Sequence, residues 1–365
     1  MTVKLTSLIT QHGTVPLPAF FPDGTRGVVR AVDAQDLHRC GVPGIVVNTL
    51  HLTTAPGVGL IKSQGGIHAF MSWDGAIISD SGGFQAMSMI RENARYGTID
   101  DAGIMFVNFD ANGRPKLKLT PEKSIQIQFA LGSDIIVCLD DCPSPDADRQ
   151  AIEAAVQRTI SWAKRCRAEF DRQVAIRQLK PEERPLLFGV IHGGFDRTLR
   201  RRCADDLLPL GFDGFGFGGW PLEAENTLAV DTLAYTAALM PDDRPKYALG
   251  VGSPAHIAHC VELGYTIFDC VLPTRDARHH RLYVWCEAGD GLAHDYVYIR
   301  DDRYKRDPRP VSEWCDCLCC THYARSYLHH LFEIGDTLAL RLATIHNLRF
   351  YAQLMSKLQR KIKNG

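Results

Sequence analysis

Short apolar segments recur along the chain, and each is followed by a stretch that reads as helical. The segments are about four to eight residues long and end in small or polar residues, which predicts strands. Strands that alternate with helices are typical of a parallel sheet with helical crossovers. The segments are residues 44–49, 76–79, 134–140, 186–193, 215–219, 247–252 and 267–273.

About seven or eight such units in one chain of this length predict an α/β fold of the (β/α)8 barrel type. The alternative is an open doubly wound sheet, but no glycine-rich phosphate-binding turn follows the first strand. Thr120-Pro121 and Ser253-Pro254 each place a hydroxyl before a proline, which predicts a helix N-terminus at both positions. We therefore expect one barrel domain over residues 1–365.

The composition is that of a globular chain, with 45% hydrophobic residues and a formal net charge of −1. The first residues lack the basic start and apolar centre of a signal peptide, and no apolar run approaches the ~18 residues of a membrane span. Most cysteines are dispersed, so we expect reduced thiols and a cytoplasmic protein. A nucleic-acid partner would have to be held by a local basic patch, because the net charge is near zero.

Four cysteines lie within residues 315–320, and several histidines follow them. Thiolates packed so closely repel one another or oxidise unless a soft cation such as Zn²⁺ binds them. Four protein ligands leave no position for an activated water, so we expect one structural Zn²⁺ per chain. The predicted ligands are Cys315, Cys317, Cys320 and His346.

The ligand set has alternatives. Cys319 can replace Cys320, and the imidazole can come from another histidine. Scattered core cysteines without a metal are the alternative to the site as a whole. The other histidines are His322, His329 and His330.

The segment from Arg281 to Arg309 interrupts the alternation of strands and helices, and the cysteine cluster follows it. We interpret residues 281–350 as a zinc-binding subdomain inserted late in the barrel. A long helix is predicted from about Thr337 to the C-terminus. Its basic end is interpreted as a solvated helix terminus in preference to a nucleic-acid contact. The basic residues are Lys357, Arg360, Lys361 and Lys363.

Three acidic residues lie where predicted strands end: Asp80, Asp140 and Asp269. The carboxyl ends of barrel strands meet at one mouth, where strand-end side chains form the active site. Carboxylates gathered there indicate glycosyl transfer or a divalent metal. Asp140 or its neighbour Asp141 alternatively caps a helix. Asp269 precedes an apolar stretch and a proline, so we expect no helix for it to cap.

Glycine-rich turns accompany these acids at Gly82-Gly83 and at residues 214–219. Glycine lets a backbone approach a flat ligand closely and leaves its N–H groups free to donate. Phe84 offers a stacking face beside the first turn, although a core position is the alternative for it.

Five motifs occur in order along nearly the whole chain. They are Ser-Asp-Ser-Gly-Gly-Phe-Gln at 79–85, Phe-Gly-Val-Ile-His-Gly-Gly at 188–194, Leu-Gly-Val-Gly at 249–252, Phe-Asp-Cys-Val-Leu-Pro-Thr-Arg at 268–275, and the cysteine cluster with His-Asn-Leu at 346–348. This set resembles the tRNA-guanine transglycosylase family in its bacterial, single-chain form. The resemblance implies a barrel with a zinc subdomain, a homodimer, and exchange of guanine at the tRNA wobble position for a 7-deazaguanine on the route to queuosine.

The resemblance also implies roles for the three acids. Asp269 would be the nucleophile that attacks C1′ of the ribose, expels guanine and forms a covalent ribosyl-enzyme. Asp80 would act as general acid and then as general base on the departing and incoming bases. Asp140 would accept from N1–H and the N2 amino group of guanine.

Further contacts to the base are implied in the same way. The N–H of Gly219, with His192, would meet the base O6. Phe84 and Leu249 would enclose the ring.

Two arginines, Arg275 and Arg278, match anticodon contacts of the family. Arginine can both hydrogen bond to phosphates and stack on splayed bases. Other basic residues follow between positions 281 and 309, but acids are interleaved with them, so a solvated surface is the alternative there.

The chain departs from the family pattern around the base pocket. His192 stands where Gln is usual, Trp220-Pro221 where Leu and a small residue are usual, Asp23 where a small apolar residue is usual, and Leu50 where Tyr is usual. Trp220 adds bulk and Pro221 removes an N–H near the expected 7-substituent. Asp23 either pairs with an ammonium on that substituent or caps a turn. We expect guanine exchange with a preference for an unusual 7-deazaguanine.

Three functions are compatible with these residues. The first is base exchange in tRNA. The second is a related transglycosylase that inserts a deazapurine into DNA or another RNA. The altered base pocket is the reason to retain this function. The third, a non-catalytic RNA-binding subunit, is disfavoured because both Asp80 and Asp269 are present.

Overall fold

The strands of the chain fall into one large and three small sheets. The structure, a computed structural model, describes residues 5–107, 116–223 and 227–364. Its strands are β1 (Ser7–Thr10), β2 (Gly13–Pro16), β3 (Ala19–Pro22), β4 (Gly44–Val47), β5 (Ala76–Ser79), β6 (Gly97–Asp100), β7 (Gly103–Val107), β8 (Lys116–Leu119), β9 (Ile135–Val137), β10 (Leu186–Ile191), β11 (Gly214–Phe217), β12 (Lys246–Ala248), β13 (Ile267–Cys270), β14 (Arg281–Trp285) and β15 (His294–Tyr298). The eight-stranded sheet is parallel and has the order β3, β13, β12, β11, β10, β9, β5, β4.

Helices lie between the strands of this sheet and after the last of them. They are α1 (Ala34–Cys40), α2 (Thr49–Thr54), α3 (Val58–Ser63), α4 (Ile67–Met71), α5 (Gly83–Glu92), α6 (Pro121–Leu131), α7 (Arg149–Arg177), α8 (Arg197–Leu207), α9 (Val230–Leu239), α10 (Pro254–Glu262), α11 (Leu272–Arg278), α12 (Leu318–His322), α13 (Arg325–Glu333) and α14 (Thr337–Asn364). None of the helices in the described ranges has the length and apolar composition that crossing a membrane requires.

The large sheet closes on itself just beyond the end of β3. Asp23 forms a parallel bridge with Val46 of β4, and the N–H of Gly24 donates to the Val46 carbonyl at 2.7 Å. Strands covered on both faces are expected to be apolar, and β4 is Gly-Ile-Val-Val with all four residues buried. The predicted (β/α)8 barrel is therefore confirmed.

The barrel interior is filled by alternate residues of its strands. Phe21, Ile78 and Phe188 belong to this inner cluster, which extends to Leu8 and Val15 of the β1–β2 hairpin. The hairpin therefore covers the amino end of the barrel, and the carboxyl end remains for a binding site.

All seven predicted strands are present, and most are shorter than predicted. The prediction was wrong at residues 272–273, which begin α11 with a proline in its first turn. The eighth strand, β3, was not predicted because Ala-Phe-Phe-Pro is short and ends in proline. The antiparallel sheet β6–β7–β8 was also missed.

Both predicted helix N-termini are present, but only one is capped by its hydroxyl. Thr120 Oγ1 accepts from the Lys123 N–H at 3.2 Å at the start of α6. Ser253 precedes α10 without a capping hydrogen bond.

The segment after the last barrel strand contains β14, β15, α12 and α13, and α14 then returns to the barrel. α14 begins at Thr337, as predicted, and packs against α1, α10, α11 and β3. Its basic end is not simply solvated. Lys357 is buried, with Nζ donating to the Gly291 carbonyl at 2.8 Å and lying 3.9 Å from the centre of the Trp285 ring. The interpretation as a solvated terminus is therefore wrong for Lys357.

Candidate active site

Asp80, Asp140 and Asp269 all lie at the carboxyl end of the barrel. Asp80 directly follows β5, Asp140 lies shortly beyond β9, and Asp269 is in β13. The charge of Asp269 acts on the carboxyl group of Asp80, so these two side chains are close enough to interact. The sequence prediction that the strand-end acids converge at one mouth agrees with this placement.

Asp80 is held by hydrogen bonds from the turn around it. Its Oδ2 accepts from Asn48 Nδ2 at 2.6 Å, and its Oδ1 accepts from the N–H groups of Thr49 at 3.0 Å and Gly82 at 3.1 Å. These donors favour the ionised form, but burial outweighs them and, together with the charge of Asp269, raises the pKa of Asp80 to about 7. Gly82 has a φ of 76°, which glycine adopts without strain. A carboxyl group with this pKa can release and accept a proton near neutrality.

Asp269 has one oxygen fixed and one without a donor. Its Oδ1 accepts from the Tyr247 hydroxyl at 2.7 Å and from the Gly250 N–H at 2.9 Å, whereas no described residue donates to Oδ2. Burial raises the pKa of Asp269, and the two donors oppose that rise. The carboxylate is thus oriented with an oxygen available to a ligand.

A helix, α11, begins at Leu272 shortly after Asp269. Asp269 does not cap it, which agrees with the expectation from the sequence. The N-cap position is Val271, and no side chain makes a capping hydrogen bond there.

Asp140 contacts His192, whose side chain is almost fully buried. His192 Nε2 lies 2.6 Å from Asp140 Oδ2. An ionised carboxylate only accepts, so Nε2 carries the proton and donates. The other ring nitrogen, Nδ1, is buried and finds no partner among the described residues. The ring packs against Gly218, where any Cβ would collide with it.

The helix-cap alternative for Asp140 or Asp141 was wrong. Asp141 is buried and accepts hydrogen bonds from Arg91 and Arg158. The following helix, α7, is capped instead by Asp148.

Apolar side chains border the mouth. Phe84 and Trp220 are 44% and 41% exposed, and their rings meet edge to face with centres 5.8 Å apart. Trp220 Nε1 donates to the Pro143 carbonyl at 3.2 Å, which fixes the indole. Leu249 is partly buried against the inner barrel cluster, and the absence of a side chain at Gly216 makes room for it.

Asp23 lies at the point where the barrel closes. Its Oδ1 accepts from the N–H of Thr25 at 3.1 Å and from the Thr25 hydroxyl, which is the contact of a turn cap. Burial raises the pKa of Asp269, and the charge of Asp23 adds to that rise, so Asp23 also faces the mouth. Leu50 is buried in α2.

Arg275 and Arg278 lie on α11, directly after the strand that carries Asp269. Arg275 is exposed, and Arg278 is partly buried with an Nη1 that no described residue accepts from. Burial, followed by the charge of Arg30, lowers the pKa of Arg278. Farther along the chain, Arg300 pairs with Glu333 at 3.0 Å, as a mixed-charge surface would.

Sequence reasoning missed the groups that hold the two acids. Tyr247 was assigned only to a strand, although a hydroxyl in an apolar strand at the mouth was a usable signal. Asn48 and Gly250 gave less indication, because their roles depend on turns between distant strands. Arg200 was missed because it lies in the run Arg-Thr-Leu-Arg-Arg-Arg, which reads as an exposed surface.

Cys315, Cys317, Cys320 and His346 form one cluster, with their candidate ligand atoms within 4.8 Å of one another. Zn–S bonds of about 2.3 Å in a tetrahedron place sulfurs roughly 3.8 Å apart, so the cluster fits a zinc site. His346 Nε2 donates to the Tyr283 carbonyl at 2.7 Å, which leaves Nδ1 facing the sulfurs. The alternatives Cys319, His322, His329 and His330 are not members of this cluster.

A second group, His12, His68 and Asp134, lies at the amino end of the barrel. The two imidazole rings are stacked 3.5 Å apart at 16°, so their in-plane lone pairs run nearly parallel and do not converge on an ion. Asp134 Oδ1 accepts from His12 Nδ1 at 2.8 Å, and Oδ2 lies 3.2 Å from His68 Nε2. This group is a hydrogen-bonded anchor for the hairpin.

Comparison with known proteins identifies the family of this chain. The family model described as queuine tRNA-ribosyltransferase matches residues 2–365. A queuine tRNA-ribosyltransferase of Methylacidiphilum infernorum is 38% identical over 363 residues, 99% of this chain and 92% of its own length. Those of Staphylococcus epidermidis and Thermotoga petrophila are 39% and 38% identical, over 97% of this chain and 87% and 89% of their own lengths. The chain therefore belongs to the queuine tRNA-ribosyltransferase family of pentosyltransferases.

Proposed function

We propose that this enzyme exchanges guanine at the wobble position of a tRNA anticodon for a 7-deazaguanine, through a covalent ribosyl-aspartate. The observation that carries the proposal is the pair of interacting carboxylates at the mouth. Asp269 is oriented by Tyr247 and Gly250, and Asp80 has a pKa raised by burial to about 7. One acid is thus suited to nucleophilic attack and the other to proton transfer.

In the first step, the free oxygen of Asp269 attacks C1′ of the ribose. The C1′–N9 bond breaks, its electron pair stays with guanine, and Asp80 supplies the proton that the departing base needs. In the second step, Asp80 accepts the N9 proton of the incoming base, whose nitrogen attacks C1′ and releases Asp269. Two displacements at one carbon restore the original configuration.

Asp140 is proposed to bind the guanine edge, with its carboxylate accepting from N1–H and the N2 amino group. His192 supports this contact because it donates to Asp140 Oδ2 and so orients it. A neutral His192 of that tautomer presents only an acceptor at Nδ1, so it can donate to the base O6 only when protonated. The N–H of Gly219 is therefore the main O6 donor that we propose, with Phe84 and Leu249 enclosing the ring.

The partner in this reaction is a tRNA, bound in part by Arg275 and Arg278. Their position supports the assignment, since both lie on α11, the helix that follows β13, the strand that carries Asp269. A Zn²⁺ bound by the cysteine cluster would be structural, because all four ligands come from the protein. A homodimer, a zinc subdomain over residues 281–350 and a cytoplasmic location stay predictions.

The test is guanine exchange with capture of the intermediate. Wild-type enzyme should incorporate labelled guanine into unmodified tRNA and give an RNA–protein adduct on a denaturing gel. Asp269→Asn should lose both the adduct and the exchange, because an amide does not form the ester. Asp295→Asn, at an exposed acid on β15, is the matched control and should retain both. An Asp269→Asn variant that exchanges guanine at the wild-type rate would contradict the mechanism.

The departures at His192, Trp220, Pro221 and Asp23 support a narrower proposal, that the preferred incoming base is an unusual 7-deazaguanine. Trp220 is fixed by Pro143 and occupies space beside Gly219, so the substituent must fit against an indole. Competition of guanine exchange by queuine and by the aminomethyl and cyano precursors measures this preference. An ordinary preference for the aminomethyl base would contradict it.

The same departures make DNA or another RNA the second candidate acceptor. Base exchange into tRNA and into duplex DNA, measured side by side, separates the two. A non-catalytic RNA-binding subunit predicts neither exchange nor an adduct with either acceptor.

A further inference from the structure

A buried arginine lies behind the proposed base pocket and connects two of its loops. Arg200, on α8, is 1% exposed. Its Nε donates to the Gly194 carbonyl at 2.7 Å, Nη1 to Ile191 at 3.2 Å and Nη2 to Gly218 at 3.1 Å. The Ile191 carbonyl ends β10, and those of Gly194 and Gly218 lie in the segments that follow β10 and β11, which carry His192 and Gly219.

The positive charge of Arg200 has no acidic partner within the described part of the chain. The groups that act on it are two cysteines and Tyr265, and its ring neighbour is Phe217, 4.2 Å from the guanidinium carbon. Burial lowers the pKa of Arg200 to about 10, so the group is still a cation at neutral pH. A buried charge satisfied only by carbonyls is costly and indicates a specific use.

The contact with Gly218 places this charge on a functional peptide group. The carbonyl of Gly218 and the N–H of Gly219 belong to the same peptide. The carbonyl accepts from the Arg200 cation, while the N–H is used by no described acceptor. A hydrogen bond from a cation to a carbonyl polarises the amide and makes its N–H a stronger donor.

We propose that Arg200 is a positioning residue for the O6 contact: it fixes and polarises the Gly218–Gly219 peptide so that the Gly219 N–H binds O6 of the entering and departing base. This inference rests on the proposed function. When the C1′–N9 bond breaks, the electron pair stays on the purine and part of its charge is delocalised onto O6. A preorganised donor at O6 therefore stabilises the leaving group more than the bound substrate.

The test compares two bases that differ at O6. 2-Aminopurine lacks O6 and also the N1–H that Asp140 would accept from, so only guanine can gain from the Gly219 donor. The quantity that tests Arg200 is the change in the affinity ratio between variant and wild type, because both keep Asp140. Binding of each base to the full-length protein is measured by calorimetry, which does not depend on turnover. In Arg200→Met the affinity ratio of guanine to 2-aminopurine should fall by about tenfold relative to wild type. Arg200→Lys keeps the charge but loses the planar guanidinium with its several N–H donors, so the ratio should fall less.

A merely structural arginine would give a different result. Both bases would then bind more weakly by the same factor, and an unchanged ratio in Arg200→Met and Arg200→Lys would overturn the proposal. The matched control is Arg325→Lys, at a partly buried arginine that bonds Asp307 and Val311 away from the mouth, and its ratio should equal that of wild type.

Two further outcomes keep the test informative. If Arg200→Met does not fold, Arg200→Lys decides, since its ratio must still differ from wild type. Equal affinity of wild type for the two bases would overturn the inference without any variant. Failure of the proposed function appears separately, as a wild-type protein that binds guanine but does not exchange it into tRNA.

Discussion

Asp80 and Asp269 have the same chemical group but different surroundings. Asp269 is fixed by a hydroxyl and one amide at a single oxygen, whereas both oxygens of Asp80 are occupied by Asn48, Thr49 and Gly82. The free oxygen of Asp269 favours attack on carbon. The occupied oxygens of Asp80 keep it aligned, while burial, the dominant effect, keeps its pKa near neutrality.

The pH dependence of exchange should reflect Asp80. Its pKa is raised by burial to about 7, so the acid form is populated below that pH and lost above it. The rate constant for guanine expulsion should therefore fall as the pH rises through 7. Single-turnover adduct formation between pH 5.5 and 9 measures this, and a constant rate above pH 7 would argue against Asp80 as the acid.

Tyr247→Phe should impair the nucleophile without removing it. The variant deletes one of two donors that oppose the burial-driven rise in the pKa of Asp269, so this pKa should rise further and the acidic limb of the rate profile should move to higher pH. Exchange should slow by about tenfold, as expected for the loss of one hydrogen bond to a charged group. Tyr327→Phe, at an exposed tyrosine on α13, is the control and should keep the wild-type profile.

For single residues, the sequence predicted where the acids lie better than it predicted the groups that hold them. Asp80, Asp140 and Asp269 were predictable because strand ends of a barrel must meet at one mouth. Tyr247 and Arg200 were not, because each acts through contacts between strands or loops distant in sequence. Asp23 was left with two interpretations, and its contacts with Thr25 are those of the turn cap.

Among the elements, α12 and α14 are joined by the cysteine cluster. Cys317 precedes α12, Cys320 is within it, and His346 lies on α14. Cys317→Ser should lower bound zinc from about one per chain to near zero and lower the thermal midpoint, because metal binding contributes directly to folding free energy. Metal analysis and calorimetry measure both quantities.

The control for this prediction is Cys319→Ser. Cys319 is buried beside the four predicted ligands but does not belong to their cluster. The Cys319→Ser protein should therefore keep its zinc even if its packing weakens. Equal zinc content in Cys317→Ser and wild type would contradict the assignment.

The β1–β2 hairpin should depend on Asp134. Burial, the largest single effect, raises the pKa of this carboxyl, but the contacts with His68 and His12 and the hydrogen bond from the Ile77 N–H together lower it more, and the net shift is downward. Ionised Asp134 therefore contributes its full stabilisation when the pH is above the pKa of the unfolded state, about 3.9. This stabilisation is lost as the pH falls through the lower pKa of the folded state.

Asp134→Asn should destabilise the protein by about 3 kcal/mol at pH 7, because it breaks a buried charged hydrogen-bond group. Urea unfolding at pH 7 and below pH 4 measures this, and the difference between variant and wild type should shrink at the lower pH. Asp243→Asn, at a largely exposed acid, should have the wild-type free energy of unfolding at both pH values. A difference independent of pH would contradict the role of the charge.

The sequence predicted a strand well where an apolar run ended in small or polar residues and poorly where it ended in proline. β5 and β3 are both four residues long, but β5 has its predicted limits, whereas β3 was missed because it ends in proline. The start of α11 was missed because a proline after an apolar run also reads as a strand end.

For the molecule as a whole, the charge balance requires that RNA binding be local. The formal net charge is −1, so a uniform attraction to RNA is absent. Arg275→Ala should weaken tRNA binding and reduce the slope of log affinity against log salt by about one, as expected for one lost phosphate contact. Arg300→Ala, at an arginine paired with Glu333, should leave the slope unchanged. Equal slopes for Arg275→Ala and wild type would exclude a phosphate contact.

α14 runs without interruption from the cysteine cluster to the loop that holds Asp269. A little more than a turn after His346, the hydroxyl of Tyr351 donates to the Gly252 carbonyl at 2.6 Å, in the loop whose Gly250 N–H holds Asp269. Removal of a metal ion from this cluster should therefore affect more than the cluster itself: as the part of α14 around His346 loosened, the Asp269 carboxylate would lose angular restraint, and turnover would decline before the barrel melted.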